Sequence, residues 1–246
     1  MKLKTNLHFH TAEDPEDLVN YTLKEGIDYA AKHGFDVLAV TCHNYFAWTR
    51  DHANYAQEKG ILLVPGIELT VSEKKKFKWN GHKKGRHVVV VNATKDAESI
   101  HTFDELAEYK KDNPDSVIIA AHPYFYGNFS LKKYLLKYIE LFDAIEHSWF
   151  YSKHFFNRNE YAVPVALENE LPMIATSDTH YLKYGHMDRN YAILLTDEKT
   201  IPAVVRAIKN GDFENISSPS SLLRHMFWGQ FIYQVKKSFL RAIGKT

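Results

Sequence analysis

The chain has 246 residues, 45% of them hydrophobic and 25% charged, with a formal charge of +1. That is the composition of one large folded domain or two small ones, and it excludes a disordered, collagen-like or low-complexity chain. Cys42 is the only cysteine, so no internal disulfide forms and a reducing cytoplasm is the expected location. No stretch reaches the ~18 apolar residues of a spanning helix, and residues 1–10 turn polar before any signal-length apolar run, so the chain is expected to be neither secreted nor transmembrane.

Short apolar runs alternate with longer amphipathic ones along the chain. LKTNLHFH precedes a helical pattern over 15–33, opened by Asp14-Pro15 and closed at Gly34. VLAVTCH precedes 47–59, closed at Gly60. ILLVPGIEL and HVVVVN follow, then a helix over 102–112 whose Thr102 and Glu105 form a capping-box pattern. VIIAAHPY precedes 130–141, AIEHSW precedes 153–170, and MIATSDTH and AILLT lead to a last helix over 201–210. Strand–helix alternation with continuous apolar strands such as VVVV and VIIA marks a parallel α/β architecture covered on both faces. About seven repetitions favour a closed barrel over an open doubly wound sheet. Residues 1–214 are read as this barrel and 215–246 as a separate segment. There Leu223, Phe227, Phe231, Val235, Phe239 and Ile243 recur every four residues among five cations, the pattern of a basic amphipathic helix. Two uses of residues 222–246 stay open: docking on the barrel or a second subunit, or lying on an anionic membrane surface.

The near-zero net charge argues against a general nucleic-acid binder, and no stable duplex partner is expected. Residues 73–86 nevertheless carry seven cations and one anion. Placed over a site mouth, Lys83, Lys84 and Arg86 could bind an anionic substrate; the other reading is a solvated loop.

Fourteen histidines are the more telling feature. His8, His10, His43, Glu68, His122, Glu146-His147, Asp178 and His180 all stand at the ends of apolar runs, and in a barrel of parallel strands those ends share one rim. Residues i and i+2 on a strand face the same side, which pairs His8 with His10 and Asp178 with His180. His87 begins its run instead of ending it. An antiparallel hairpin over residues 61–92 brings it back to the rim beside Glu68. Imidazole and carboxylate without thiolate suit catalytic Zn, Mn or Fe(II), and so many ligands exceed the needs of one ion. The aromatic residues Tyr45, Phe46, Trp48, Tyr124, Phe125, Tyr126, Trp149 and Tyr181 follow or neighbour these motifs, as a stacking surface for a flat group or as plain packing.

LHFHT, VLAVTCHN, PGIELT, HVVVVN, AAHPY, DAIEHS and ATSDTH resemble, in order, the motif series of the PHP (polymerase and histidinol phosphatase) superfamily, from about residue 5 to 185. The resemblance implies a distorted (β/α)7 barrel holding two or three Zn, Mn or Fe ions, and a metal-dependent phosphoesterase acting by metal-activated hydroxide on a small phosphorylated molecule, nucleotides included. Histidinol phosphate phosphatase, protein-tyrosine phosphatase and a non-catalytic metal-binding regulator are the alternatives. Carried over motif by motif, His8, His10 and Asp178 resemble the ligands of a first ion, and Glu68 the bridging carboxylate. His87 and His122 complete a second site, and His43 and His180 a third, joined by Asp14 or Asp17. Glu68, Asp178 and His180 are the catalytic candidates, with His147 or a metal-bound water as proton donor. Two positions depart from the pattern: Asn6 and Cys42 stand where the family commonly has aspartate. Cys42 is read as a small buried residue or a soft ligand.

Overall fold

The computed structural model describes residues 1–74, 85–153, 157–182 and 187–220, and these form a nine-stranded sheet curled into a nearly closed barrel. In chain order the strands are β1 (Lys2–Asn6), β2 (Val37–Val40), β3 (Leu62–Val71), β4 (Arg86–Val91), β5 (Val117–Ala120), β6 (Ala144–Ser148), β7 (Met173–Thr176), β8 (Asn190–Leu195) and β9 (Phe213–Ser217). The helices are α1 (Leu23–Lys32), α2 (Arg50–Glu58), α3 (Phe103–Asp112), α4 (Lys133–Lys137), α5 (Ala162–Glu168) and α6 (Ile201–Asn210). Strand order is β7-β6-β5-β4-β3-β2-β1-β8-β9. β1, β2 and β3 pair in parallel, as do β5, β6 and β7. β4 runs antiparallel to both β3 and β5, with Thr70 opposite His87, so the hairpin expected over 61–92 is present.

Period-two alternation divides the side chains. Val37, Ala39, Val64, Val89, Val91, Val117, Ile119, Ala144 and Ile174 fill the barrel interior together with Val204 and Ile208 of α6. Leu38, Val40, Val88, Val90, Ile118 and Ile145 face outward into the layers beneath the helices. Continuing the interior rows toward the other end gives His43, Glu68, His87 and Glu146, so one cylinder is apolar below and ionisable above.

Closure is uneven. At the rim, Phe9 pairs in parallel with Thr179, and the His10 amide donates to the Thr179 carbonyl at 3.1 Å, joining the extensions of β1 and β7. Below, β8 lies antiparallel to β1 and β9 antiparallel to β8, filling the gap. Side-chain amides span what no ladder does: Asn215 accepts from the Ala175 amide at 2.7 Å and donates to the Met173 carbonyl at 2.7 Å. Asn190 donates to the carbonyls of His147, at 2.9 Å, and Thr176.

Local signals explain the helix bounds. Thr102 and Glu105 make the expected capping box of α3, and Gly34 and Gly60 adopt φ of 70° and 77° just past α1 and α2. The first helix opens later than Asp14-Pro15 because Asp14 is engaged elsewhere. Its Oδ1 accepts from the amides of Glu16 and Asp17, a turn, and α1 begins after Thr22, which forms its own capping box with Glu25. β9 straddles the boundary expected at 214/215. The amphipathic segment proper, residues 221–246, lies outside the described residues. Among the described residues no helix is long and apolar enough to cross a membrane.

Candidate metal centre

Three imidazoles converge on Glu68, each tethered from behind. His8 places Nδ1 3.3 Å from Glu146 Oε1, leaving Nε2 3.3 Å from Glu68 Oε2 and 3.5 Å from Asp178 Oδ1. His10 places Nδ1 2.8 Å from Asp14 Oδ2, with Nε2 3.4 Å from Glu68 Oε2 and 3.2 Å from Asp178 Oδ1. His43 places Nδ1 2.9 Å from the same Asp14 oxygen and Nε2 2.8 Å from Glu68 Oε2. A carboxylate behind Nδ1 holds the proton there and turns the Nε2 lone pair inward, the arrangement that orients histidine toward a metal. Glu68 spans the centre: its other oxygen, Oε1, lies 3.0 Å from His87 Nδ1 and 3.2 Å from His122 Nε2. His180 stands at the edge, its ring 4.2 Å from that of His10 and its Nε2 2.9 Å from Asp17 Oδ2.

The backbone takes exceptional forms to aim these groups. Asp178 and His122 have φ of 45° and 27°, costly for residues with a Cβ and typical of functional positions. Between Leu7 and His8 the alternation of the first strand shifts by one. Leu7 stays in the interior and Phe9 packs outside with α1, so both flanking histidines turn inward.

Charge is concentrated in a dry volume. Glu68, Glu146, Asp14, His8, His10, His43 and His122 are all buried. Burial opposes ionisation of Glu68, but His87, His8 and His43 outweigh it and hold the carboxyl well below its usual range. Burial likewise opposes charge on His8, and Glu68, Asp178 and Glu146 overcome it, raising its pKa well above the ordinary value. For His180 the balance of burial against Asp178 and Asp17 ends at about 9. Even so, His8 Nε2, His10 Nε2 and Glu68 Oε2 are buried without a hydrogen-bond partner. Orphaned polar atoms converging in one place are costly unless something satisfies them. Three overlapping sets are close enough to share an ion: His8, His10 and Asp178; His10, His43 and His180; and His43, Glu68 and His87. Nitrogen and carboxylate oxygen without sulfur fit Zn, Mn or Fe(II).

All nine sequence-derived ligand candidates therefore meet in or around one centre, although His122 and Asp14 lie outside the three sets. Asp14 sits behind two imidazoles, whereas Asp17 faces His180, which separates the two aspartates left open above. His147 is not brought in. As the neighbour of inward-facing Glu146 it faces the other way, its ring 5.2 Å from that of Tyr151 and its Nδ1 3.5 Å from Ser217 Oγ, and burial lowers its pKa. Arg86 donates to the Asn128 carbonyl and lies 4.8 Å over the Tyr134 ring, so its guanidinium is engaged within the protein. Lys83 and Lys84 lie outside the described residues. Cys42 is fully buried in the outer core, 3.3 Å from Thr11 Oγ1, its thiol pushed up to about 12 by burial and Asp14. Asn6 bonds Ser177 Oγ at 2.6 Å, stitching β1 to the end of β7. Glu146 is the group that sequence reasoning left without a role. With Ala144 in the interior the two-residue period turns Glu146 inward, and its Oε2 accepts from the His122 amide at 2.6 Å while Thr176 donates to Oε1.

No family model matches the chain, and no curated protein matches it. Solved structures do. A two-domain protein from Bacteroides vulgatus containing a predicted PHP-like metal-dependent phosphoesterase superposes with a TM-score of 0.61 at 20% identity, over 88% of this chain and 65% of that one. The chain shares the barrel of the PHP-like phosphoesterases. The lesion-specific endonuclease Q of Pyrococcus furiosus gives a TM-score of 0.62 at 15% identity, over 87% of this chain and 58% of that one. Endonuclease Q in complex with a 27-mer duplex bearing an abasic lesion gives 0.60 at 15% identity, over 87% and 59%. The chain thus spans somewhat less than two thirds of each of these longer proteins.

Proposed function

We propose that the chain is a metal-dependent hydrolase of phosphate esters, its substrate a small phosphorylated molecule and its ions held by His8, His10, His43, Glu68, His87, His122, Asp178 and His180. The observation that carries this reading is the convergence of Nε2 of His8, His10 and His43 on one oxygen of Glu68 while its other oxygen meets His87 and His122. Two or three divalent ions held there would supply positive charge for the phosphoryl oxygens and would lower the pKa of water toward neutrality. Glu68, Asp178 and the imidazoles would hold the ions, and Asp14, Asp17 and Glu146 hold the rings from behind. Asp14 is thus assigned a positioning role, with Asp17 the carboxylate nearer the outer His180. His147, remote from these atoms, is not assigned the proton donor's part.

A second reading, a nuclease, draws support from the likeness to endonuclease Q, itself seen with duplex DNA. A panel of an aryl phosphate, phosphorylated metabolites and oligonucleotides, assayed with Mn-, Zn- and Fe-loaded protein, separates the two. Turnover of small esters, abolished in Glu68→Ala and Asp178→Asn, is expected. Activity confined to oligonucleotides selects the nuclease, and metal uptake with no turnover of any substrate makes the chain a binding protein.

A further inference from the structure

Helix α5 is apolar on both sides. Ala162, Val165 and Ala166 are buried in the core, yet Val163 and Leu167, four residues apart on the outer side, are 42% and 75% exposed. Tyr161, just before the helix, is exposed as well, and Glu168 is the only charged residue within it. A helix apolar all round is normally covered all round. We propose that residues 221–246 of the same chain cover it, their apolar residues on Tyr161, Val163 and Leu167 and their cations toward Glu160, Glu168 and Glu170.

Three observations select this occupant. The first is position. The Ser220 amide donates to the Tyr151 carbonyl at 2.7 Å and its hydroxyl to the Trp149 carbonyl at 3.5 Å. Ser148, next to Trp149, exchanges hydrogen bonds of 2.9 and 3.0 Å with the side chain of Asn159, two residues before Tyr161. The chain therefore leaves Ser220 within a few residues' span of the exposed face. Along its axis α5 measures only about 10 Å, whereas a helix over 221–246, which the sequence pattern predicts, would extend about 39 Å. The second observation is charge. Residues 158–170 hold three glutamates, all exposed, and one arginine, while residues 221–246 hold five cations and no acid. Complementary charge round an apolar contact selects the partner. The same acidic rim repels an anionic bilayer, and it distinguishes this face from exposed Leu136 of α4, which stands among Lys132, Lys133 and Lys137. The third is spacing. Phe227, Phe231, Val235 and Phe239 recur every four residues, so on a helix they form one ridge, and Val163 and Leu167 form a ridge of the same kind on α5.

The test uses full-length Leu167→Cys labelled with benzophenone maleimide, a reagent that buried Cys42 does not meet in the native protein. Irradiation should join position 167 to peptides from 221–246 in a band of single-chain mass. In an independent arm, native tryptic cleavage at Lys236 and Lys237 should rise roughly tenfold in Leu167→Asp, because cleavage follows the undocked population and covering one leucine is worth at least that factor. Glu168→Gln with Glu170→Gln, which leaves the apolar face intact, should raise cleavage at low salt and have less effect at high salt. Cross-links that join two chains or reach only the barrel, or cleavage that no variant changes, overturn the docking. So does sedimentation with phosphatidylserine vesicles when position 167 yields no cross-link to 221–246, which would put the segment on a bilayer instead.

Discussion

Each of the three histidines whose Nε2 converges on Glu68 owes its direction to a carboxylate on its far side: Glu146 for His8, Asp14 for His10 and again for His43. Removing such a partner frees the ring to rotate and typically lowers metal affinity by about 10–100-fold. Glu146→Gln should therefore weaken divalent-ion binding on that scale, read by competition with a chromophoric chelator, while circular dichroism stays native; unchanged affinity would mean that Glu146 only fills space. His147→Gln, one residue away on the opposite face of β6, should leave kcat unchanged, and a loss of turnover would restore it to the chemistry. Cys42 is fully buried, so a thiol reagent should label it only in denaturant. At this scale the gathering of His8 and His10 beside Asp178 was legible in the sequence from donor chemistry, a local property, whereas the strand period invoked for Asp178 and His180 does not apply where β7 has ended at Thr176 and Asp178 has a φ of 45°. The choice between Glu146 and His147 was not legible. It depends on which parity of β6 faces the interior, and that is decided by contacts with β5 and β7.

Elements hold the centre through two devices that carry no local signal. Gly26 of α1 lies against Phe9, between His8 and His10, where a Cβ at position 26 would come 2.2 Å from Phe9 Cζ. Gly26→Ala must therefore push on the strand that aims both histidines. Overpacking of this kind costs about 1–3 kcal/mol, measurable by urea unfolding, and should weaken metal binding as well. Stability and affinity equal to wild type would show that the strand is free to yield. Asn190, buried between β7 and β8, supplies donors to the carbonyls of His147 and Thr176 where the barrel lacks a ladder. Asn190→Ala leaves both without that donor and should cost about 1–3 kcal/mol in the same assay. The hairpin of β3 and β4 could be foreseen because His87 made sense only on a descending strand. Closure by Asn190 and Asn215 could not, since an asparagine in a strand looks locally like a weak strand former. The late start of α1 has the same origin, Asp14 being drawn to His10 and His43, residues that only the barrel makes its neighbours.

For the whole molecule, the interior is a cylinder with an apolar floor under α6 and a dense set of opposite charges at the rim, where buried polar atoms lack partners. Ions that bind this folded centre and not the unfolded chain stabilise it by mass action, about 2.7 kcal/mol at a hundred times Kd. In a chain of this size that corresponds to a rise in Tm of roughly 5–10 °C. A Mn or Zn titration followed by thermal unfolding should show it, with Glu68→Ala much less responsive. The rise depends on carboxylates and imidazoles gathered from seven of the nine strands or their extensions, which is why composition and motif order revealed the barrel before any distance was known. The most direct test is anomalous diffraction from crystals of the full-length protein grown with manganese. Peaks lying between Glu68 and the Nε2 atoms of His8, His10 and His43 are predicted. A map without peaks there at saturating metal would contradict the account.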